Sequence, residues 1–104
     1  MVTTNIHLPM DKIAEFCQRW KIKELALFGS VLRDDFRTDS DIDLLVTFVP
    51  GASRSLFKQV EMQDELSLML GRKVDLVSRH GVELSDNIRR KNEILDAAEV
   101  IYAA

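Results

Sequence analysis

The amino-acid sequence predicts an α/β (α+β) fold, a small mixed β-sheet flanked by helices in one domain over residues 1–104. Three observations support this prediction. The segment DIDLLVTF at positions 41–48 continues as the apolar run of a strand covered on both faces. Apolar residues recur at helical spacing before and after it. Two shorter strand patterns alternate with these helices, in the order α-β-(α)-β-α-β-α, which is typical of a small sandwich.

The first half of the chain gives a helix, a strand and a polar loop. Pro9–Trp20 is predicted to be helical, since one apolar stripe runs through it at i, i+3, i+4 and i+7. Glu24–Phe28 is predicted to be a short strand. A helical turn is expected over Val31–Asp34 and a loop over Asp34–Ser40. The stripe is interpreted as core packing; it comprises Ile13, Phe16, Cys17 and Trp20.

The second half begins with the strand that is easiest to predict, Asp41–Phe48. Ser55–Leu70 is expected to form a helix, and Lys73–Val77 a third strand. Gly81–Ser85 is expected to be a turn. The remaining residues, from Asp86 to about Ala103, are predicted to form a last helix.

Composition narrows the class of protein. The chain has 104 residues, 30% of them charged, and a net charge of -3, so no overall basic field attracts nucleic acid. Its single cysteine, Cys17, excludes an internal disulfide. No signal-peptide pattern and no long apolar segment is present. We therefore expect a soluble, cytoplasmic protein. His7 and His80 match no zinc spacing and are expected at the surface.

Asp41 and Asp43 form the first candidate site. Side chains alternate along a strand, so both carboxylates should point to one face, with Cα atoms about 6.6 Å apart. A divalent ion would relieve their repulsion, and Mg²⁺ prefers carboxylate, phosphate and water oxygens. The alternative is that the two aspartates only form the charged start of a strand and bind no ligand. These two residues alone do not decide between the two interpretations.

Asp75 strengthens the metal interpretation. It lies between apolar residues in the third predicted strand, where a charge is costly unless it is paired or bound to metal. If that strand lies beside Asp41–Phe48, three carboxylates can hold two ions about 3.5–4 Å apart. The alternative is an edge-strand residue that faces water.

Gly29-Ser30 is the candidate phosphate-binding turn. Glycine permits close approach of a ligand to the backbone, and N–H groups at a helix start favour phosphate oxygens. An isolated Gly-Ser pair is usually an ordinary strand-ending turn, so the argument rests on its combination with the carboxylates. Arg33 either reaches a phosphate or pairs with one of the nearby aspartates, and the two alternatives are equal.

These residues resemble a known family. The run LFGSVLRDDFRTDSDIDLLV is similar to the core of the DNA polymerase β-type nucleotidyltransferases, which have Gly-Ser, about ten residues, Asp-x-Asp and a later strand aspartate. The short chain resembles the minimal nucleotidyltransferase (MNT) antitoxins. Their typical motif Leu-x-Leu-Phe-Gly-Ser-x-x-Arg matches Leu25 to Arg33. Asp34 stands where many relatives have glycine, which leaves the conformation of this loop open.

The resemblance implies roles for the site residues. Gly29 and Ser30 would hold the triphosphate of ATP, and Asp41 and Asp43 would bind two Mg²⁺ ions, or Mn²⁺. Asp75 would bind the catalytic ion and assist the attacking hydroxyl.

The resemblance also implies a partner, a HEPN-domain ribonuclease toxin that receives AMP from ATP on a tyrosine in a hetero-oligomeric complex. The chain is then an antitoxin, with no direct contact to nucleic acid or membrane. Two alternatives stay open. The first is neutralisation by binding alone, with a vestigial or regulatory nucleotide site, through apolar residues of the last predicted helix: Ile88, Leu95, Ile101 and Tyr102. The second is a free-standing transferase for a small molecule such as an aminoglycoside, which the lack of room for an acceptor domain disfavours.

Overall fold

The computed structural model of the protein describes residues 8–29, 41–51 and 56–104. In chain order the elements are α1 (Met10–Arg19), β1 (Ile22–Phe28), β2 (Ile42–Phe48), α2 (Leu56–Leu70), β3 (Val74–Ser78), α3 (Arg79–Glu83), α4 (Ile88–Ala97) and β4 (Glu99–Ala103). The strands form one mixed sheet in the order β3-β2-β1-β4, and helices flank it, as the sequence predicts. Within the described residues, no helix is both long and apolar enough to cross a membrane.

Helix α1 forms where the sequence predicts it, because its apolar side chains recur on one face. Ile13, Phe16 and Cys17 are buried, and Trp20 packs half-buried against the same core. Burial raises the pKa of the Cys17 thiol to about 12, so the thiol stays protonated and acts as an apolar group. The interpretation of this stripe as core is confirmed.

The centre of the sheet is formed by β1 and β2. The two strands are antiparallel, from Ile22 opposite Phe48 to Phe28 opposite Asp43. Strand β3 pairs with β2 in parallel, and α2 is the crossover that such a connection requires. The apolar run in β2 is explained by this position, since β2 is covered on both faces.

Two apolar clusters cover the two faces of the sheet. Helices α1 and α2 pack on the first face, where Phe16, Leu44 and Leu66 are almost fully buried. Helices α3 and α4 pack on the second face through Val82 and Ile94. The odd-numbered positions of β2 point to this second face, so it is the face that carries the candidate site.

The outer edge of β3 is closed by polar side chains of α2. The Leu76 amide donates to Gln63 Oε1 at 2.9 Å, and Gln59 Nε2 donates to the Leu76 carbonyl at 3.0 Å. The Val74 amide donates to Ser67 Oγ at 3.0 Å. An edge strand with unpaired main-chain groups is open to pairing with another chain, and these contacts satisfy three of them.

The last helix is shorter than the sequence predicts, and this part of the prediction is wrong. Helix α4 ends at Ala97, and Ala98 is extended, with φ -62° and ψ 133°. Glu99–Ala103 then forms β4, antiparallel to β1. The segment EVIYA has β-branched and aromatic residues that suit a strand, and its pairing supplies hydrogen-bond partners to β1, which would otherwise be an edge.

The predicted turn at Gly81–Ser85 is also corrected. Residues Arg79–Glu83 form α3, and the Ser78 side chain accepts a hydrogen bond from the Gly81 amide at 3.5 Å as its N-cap. A capping serine at the last position of a strand allows a helix to begin there in spite of the glycine. His80, in this helix, is exposed, as expected.

An ion pair between α1 and α2 gives a pH-dependent contribution to stability. The Arg19 guanidinium donates to both oxygens of Glu65 at 2.8 and 2.6 Å, which holds the pKa of that carboxyl below its ordinary value of 4.5, although partial burial opposes the shift. A lowered folded-state pKa stabilises the protein above the unfolded pKa and ceases to do so as the pH falls through the folded one. Wild type should therefore be more stable than Glu65→Gln at pH 7, and the difference should shrink below pH 4.

Denaturant unfolding of wild type and Glu65→Gln at pH 7 and below pH 4 measures the difference in their free energies of unfolding. The exposed Glu61→Gln in the same helix is the control, and it should show no comparable pH-dependent change. A difference that is equal at both pH values would contradict the prediction.

Candidate active site

The register of the sheet brings two of the predicted carboxylates together. Strand β3 lies beside β2 in parallel, and Asp43 is the direct partner of Asp75. Partners in adjacent strands point to the same face and lie about 4.8 Å apart. Asp41 lies two residues before Asp43, directly before β2, and alternation places it toward that same face. The geometric condition on which the three-carboxylate hypothesis depends is therefore met.

The three carboxylates differ in their surroundings. Asp75 is exposed, on an edge strand, so exposure alone also fits the alternative of a residue that faces water. Asp43 is half-buried. Asp41 is exposed and lies 3.9 Å from Lys73 Nζ, which is a weak ion pair in water. The pairing of Asp75 with Asp43, rather than its exposure, is what favours a site.

Gly29 lies against the Asp43 carboxylate. Its φ is +77°, in the left-handed region that favours glycine, and a side-chain Cβ there would lie 3.2 Å from Asp43 Cγ and closer still to one carboxylate oxygen. The absence of a side chain thus lets the end of β1 approach the carboxylate. The predicted phosphate-binding turn and the predicted metal-binding pair are adjacent in space at this point.

The donor set is the kind that divalent magnesium prefers, since all its members are carboxylate oxygens. Within the described parts of the chain, no three acidic, histidine or cysteine side chains converge on one point as a ready-made metal cage. Pairs of these carboxylates would suit ions whose coordination is completed by phosphate and water oxygens, as is usual for magnesium with a nucleotide.

Several predicted features lie outside the described residues. These are Ser30, Arg33, the helical turn Val31–Asp34 and the loop Asp34–Ser40. Their predicted roles stay predictions.

Arg79, one of the basic residues near Asp75 in sequence, is placed away from the carboxylates. It lies beyond the opposite end of β3 and pairs with Glu24 at 3.0 Å and with Glu83 at 3.8 Å. It therefore serves as a structural ion-pair residue between β1 and α3.

The sequence did not predict a cavity of about 680 Å³ beside Gly29. One wall is the end of β1, and the opposite wall is a single face of α4, on which residues recur at i, i+3, i+4 and i+7. The lining residues are Phe28, Gly29, Arg90, Glu93, Ile94, Ala97 and Glu99. The run VIY after Glu99 is the part of the sequence that could have predicted a strand here. A strand at this point would also have placed Glu99 beside β1.

Fold and site together define a class of protein, the nucleotidyltransferases, in which strand carboxylates beside a glycine turn serve a nucleotide. Comparison with known proteins agrees. Residues 10–101 match the nucleotidyltransferase domain family, and the chain belongs to that family.

Several relatives of this chain are archaeal proteins. The protein adenylyltransferase MntA of Thermococcus cleftensis is 37% identical over 71 residues, which are 66% of this chain and 68% of the relative. A candidate protein adenylyltransferase of Methanocaldococcus jannaschii is 33% identical over 92 residues, 88% of this chain and 97% of its own length. A second protein of that organism is matched over only 64% of its own length.

Solved structures share the fold. One described as a minimal nucleotidyltransferase has a TM-score of 0.67 and 34% identity, over 86% of each chain. A toxin–antitoxin structure with AMP-PNP has a TM-score of 0.70 at 20% identity, over 93% of this chain and 75% of that one. A complex of a tri-AMPylated HEPN toxin with its MNT antitoxin from Shewanella oneidensis has a TM-score of 0.62 at 20% identity, over 91% and 70%.

The predicted family and fold are thus confirmed, and so is the predicted enzyme class, nucleotidyltransferase. The roles of the individual site residues remain predictions.

Gly29→Ala should be unusually destabilising for a glycine replacement. Left-handed backbone costs an alanine about 1–2 kcal/mol. At Gly29 the added Cβ also meets Asp43, and overpacking of this kind costs about 1–3 kcal/mol more. Gly71→Ala is the matched control, because φ there is +69° and nothing lies within 4 Å of an added Cβ. Denaturant unfolding of both variants measures the difference.

A double-mutant cycle with Asp43→Ala assigns the extra cost to the carboxylate. Asp43→Ala leaves only the Cβ contact of 3.4 Å, so it should restore part of the stability that Gly29→Ala removes. Equal costs for Gly29→Ala and Gly71→Ala would show that the two groups do not contact each other in solution.

Proposed function

We propose that this protein is a magnesium-dependent nucleotidyltransferase that transfers AMP from ATP to a tyrosine hydroxyl of a partner HEPN-domain toxin, and that it acts as the antitoxin of that pair in the cytoplasm. The observation that carries the proposal is the placement of Asp43 directly beside Asp75 and against Gly29. Adenylyltransferase names among its relatives and the toxin–antitoxin complexes among its structural neighbours support the choice of reaction and partner.

In the proposed reaction the acceptor hydroxyl oxygen bonds to the α-phosphorus of ATP. The bond from that phosphorus to the bridging oxygen breaks, and pyrophosphate leaves with the electron pair. Asp75 would take the hydroxyl proton, as a carboxylate base. Gly29, Ser30 and Arg33 would hold the triphosphate from the other side.

Asp41 and Asp43 would hold both magnesium ions, and Asp75 would bind the catalytic ion. When bound, the metal lowers the pKa of the attacking hydroxyl and stabilises the charge on the departing pyrophosphate. The carboxylates themselves would orient these groups. Asp43 pairs with Asp75 of the neighbouring strand and lies against Gly29.

The test uses ATP labelled at the α-phosphate, Mg²⁺, this chain and a HEPN-domain toxin that it binds. We expect label on a tyrosine of the partner, released pyrophosphate in equal amount, and no label when Mg²⁺ is removed by chelation. ATP labelled at the γ-phosphate is the control, since it should label nothing. Label from γ-phosphate, or none from α-phosphate, would refute AMP transfer.

A second candidate is neutralisation by binding alone. Large apolar side chains are exposed on two parts of the described surface: Leu84 and Ile88 around the start of α4, and Phe57 and Leu68 on α2, the last being 87% exposed. Exposed apolar surface of this kind favours a protein partner. Of the residues first expected to form such a surface, Leu95, Ile101 and Tyr102 instead pack half-buried against the chain's own clusters.

Co-expression separates the two candidates. If AMP transfer protects the cell, the Asp41→Asn/Asp43→Asn double variant should still bind the toxin but fail to relieve its toxicity. If binding suffices, that variant should protect fully, and Leu84→Asp/Ile88→Asp should abolish protection while AMP transfer to a soluble acceptor persists.

A further inference from the structure

Lys73 belongs to the group of charged side chains where β2 and β3 begin. Asp43 is the direct partner of Asp75 in the parallel register of these strands. Two positions earlier, the same register brings Asp41 beside Lys73, and the Ile42 amide donates to the Lys73 carbonyl at 2.9 Å. Residues two apart in a strand share a face. Lys73 therefore lies on the face of the sheet that carries the three carboxylates.

The Lys73 ammonium is close to Asp41 but is not held there firmly. Its Nζ lies 3.9 Å from Asp41 Oδ2, and the lysine side chain is 76% exposed. An exposed ion pair of this kind contributes little to stability. The main chain of Lys73 is anchored by its hydrogen bond to β2, whereas the four-carbon side chain is flexible. The ammonium can therefore leave Asp41 when a stronger charge takes its place.

We propose that Lys73 occupies Asp41 in place of a metal ion while the site holds no nucleotide, and that its ammonium turns to the phosphate oxygens when a magnesium-bound triphosphate enters. The inference rests on the proposed function, since it requires that Asp41 binds magnesium. In the empty site the ammonium relieves part of the repulsion among the carboxylates and competes with a divalent ion. A triphosphate brings several negative charges, which attract a lysine ammonium. Asp41 is then released to the metal, so Lys73 makes metal binding depend on the nucleotide.

Removing the charge of Lys73 should have effects of opposite sign on two ligands. A single and a double positive charge about 5 Å apart in water repel enough to weaken binding roughly tenfold, and salt reduces this effect. Lys73→Met keeps the length of the side chain and should bind a metal ion alone about fivefold to tenfold more tightly at low salt. It should bind the magnesium complex of ATP about fivefold or more weakly, because the phosphates lose a cation. A lysine that is only solvated predicts no change in either affinity.

Equilibrium binding to the full chain tests both effects. Binding of Mn²⁺ alone is followed by electron paramagnetic resonance, and binding of Mg²⁺ with ATP or with inorganic tripolyphosphate by calorimetry. Tripolyphosphate should lose as much affinity as ATP, because the ammonium contacts phosphate and no part of the nucleoside. Lys73→Arg keeps the positive charge and should stay close to wild type with every ligand.

Lys12→Met is the charge-matched control, because Lys12 is exposed on α1, which packs on the opposite face of the sheet. It should bind both Mn²⁺ and ATP with Mg²⁺ as wild type does. Denaturant unfolding should be the same for wild type and Lys73→Met, as is usual for an exposed side chain, so that a change in affinity does not reflect loss of the fold.

Two results would overturn the inference while the proposed function stands. One is an affinity of Lys73→Met for Mn²⁺, or for ATP with Mg²⁺, that equals that of wild type. The other is a change of the same sign for both ligands, which would mean that the ammonium stays at Asp41 when the triphosphate binds. Failure of wild type to bind ATP with Mg²⁺ would instead refute the proposed function, and the inference with it.

Discussion

Asp43→Asn should reduce AMP transfer on the order of 10³-fold while the protein stays folded. Removing one group that stabilises transition-state charge commonly costs about 10²–10³ in rate, and Asp43 is placed between the other proposed ligand strand and the glycine turn. Asparagine keeps the shape of the side chain but removes its charge. The free energy of unfolding should change by no more than about 1 kcal/mol, as is usual away from the core.

Single-turnover transfer from labelled ATP measures the rate, and circular dichroism with denaturant measures stability. Asp64→Asn is the matched control, because Asp64 is an exposed aspartate on α2, which packs on the opposite face of the sheet. It should transfer AMP at the wild-type rate. Retention of a tenth or more of the activity by Asp43→Asn would mean that this carboxylate does not hold the reacting groups.

Leu66→Ala should have the largest effect on stability. Leu66 has no exposed surface and packs from α2 into the cluster with Phe16 and Leu44. Replacing a buried leucine by alanine costs about 2–5 kcal/mol, because apolar contact is lost and a cavity is left. A domain of this length has about 5–15 kcal/mol in total, so one substitution removes a large share of it.

Leu68→Ala provides the comparison within the same helix, two residues further on. Leu68 is 87% exposed, and its replacement should change the free energy of unfolding by about 0.5 kcal/mol or less. Urea unfolding of both variants tests the difference. A large loss for Leu68→Ala would show that this side chain is covered in solution, which would favour self-association through α2.

Elements with a strong periodic pattern could be predicted from sequence, and elements defined by tertiary pairing could not. Helix α1 and strand β2 have patterns that match their burial. The segment Glu99–Ala103 follows α4 without an intervening glycine or proline. The local sequence pattern therefore predicts that the helix continues through this segment, although it forms β4. The β-branched and aromatic residues of this segment suit a strand as well as the end of a helix, and the hydrogen-bonding requirement of β1 decides for the strand.

The same distinction holds for the site. Asp41, Asp43 and Asp75 could be grouped from sequence because strand alternation limits which side chains share a face. The cavity could not be predicted, since it depends on where α4 lies over the sheet and on the return of β4 to β1. The position of Glu99 beside Leu27 of β1 likewise could not be predicted while its segment was taken as helical.

The closed outer edge of β3 limits how any acceptor can reach Asp75. Because Gln59, Gln63 and Ser67 already occupy main-chain groups of that edge, an incoming segment cannot dock there by adding a strand. An acceptor that uses Asp75, as proposed, would have to approach over the face of the sheet and extend a side chain toward the carboxylates. Such access favours a long side chain with a terminal hydroxyl over a hydroxyl held close to a main chain. The length of the acceptor side chain would then help to select the target.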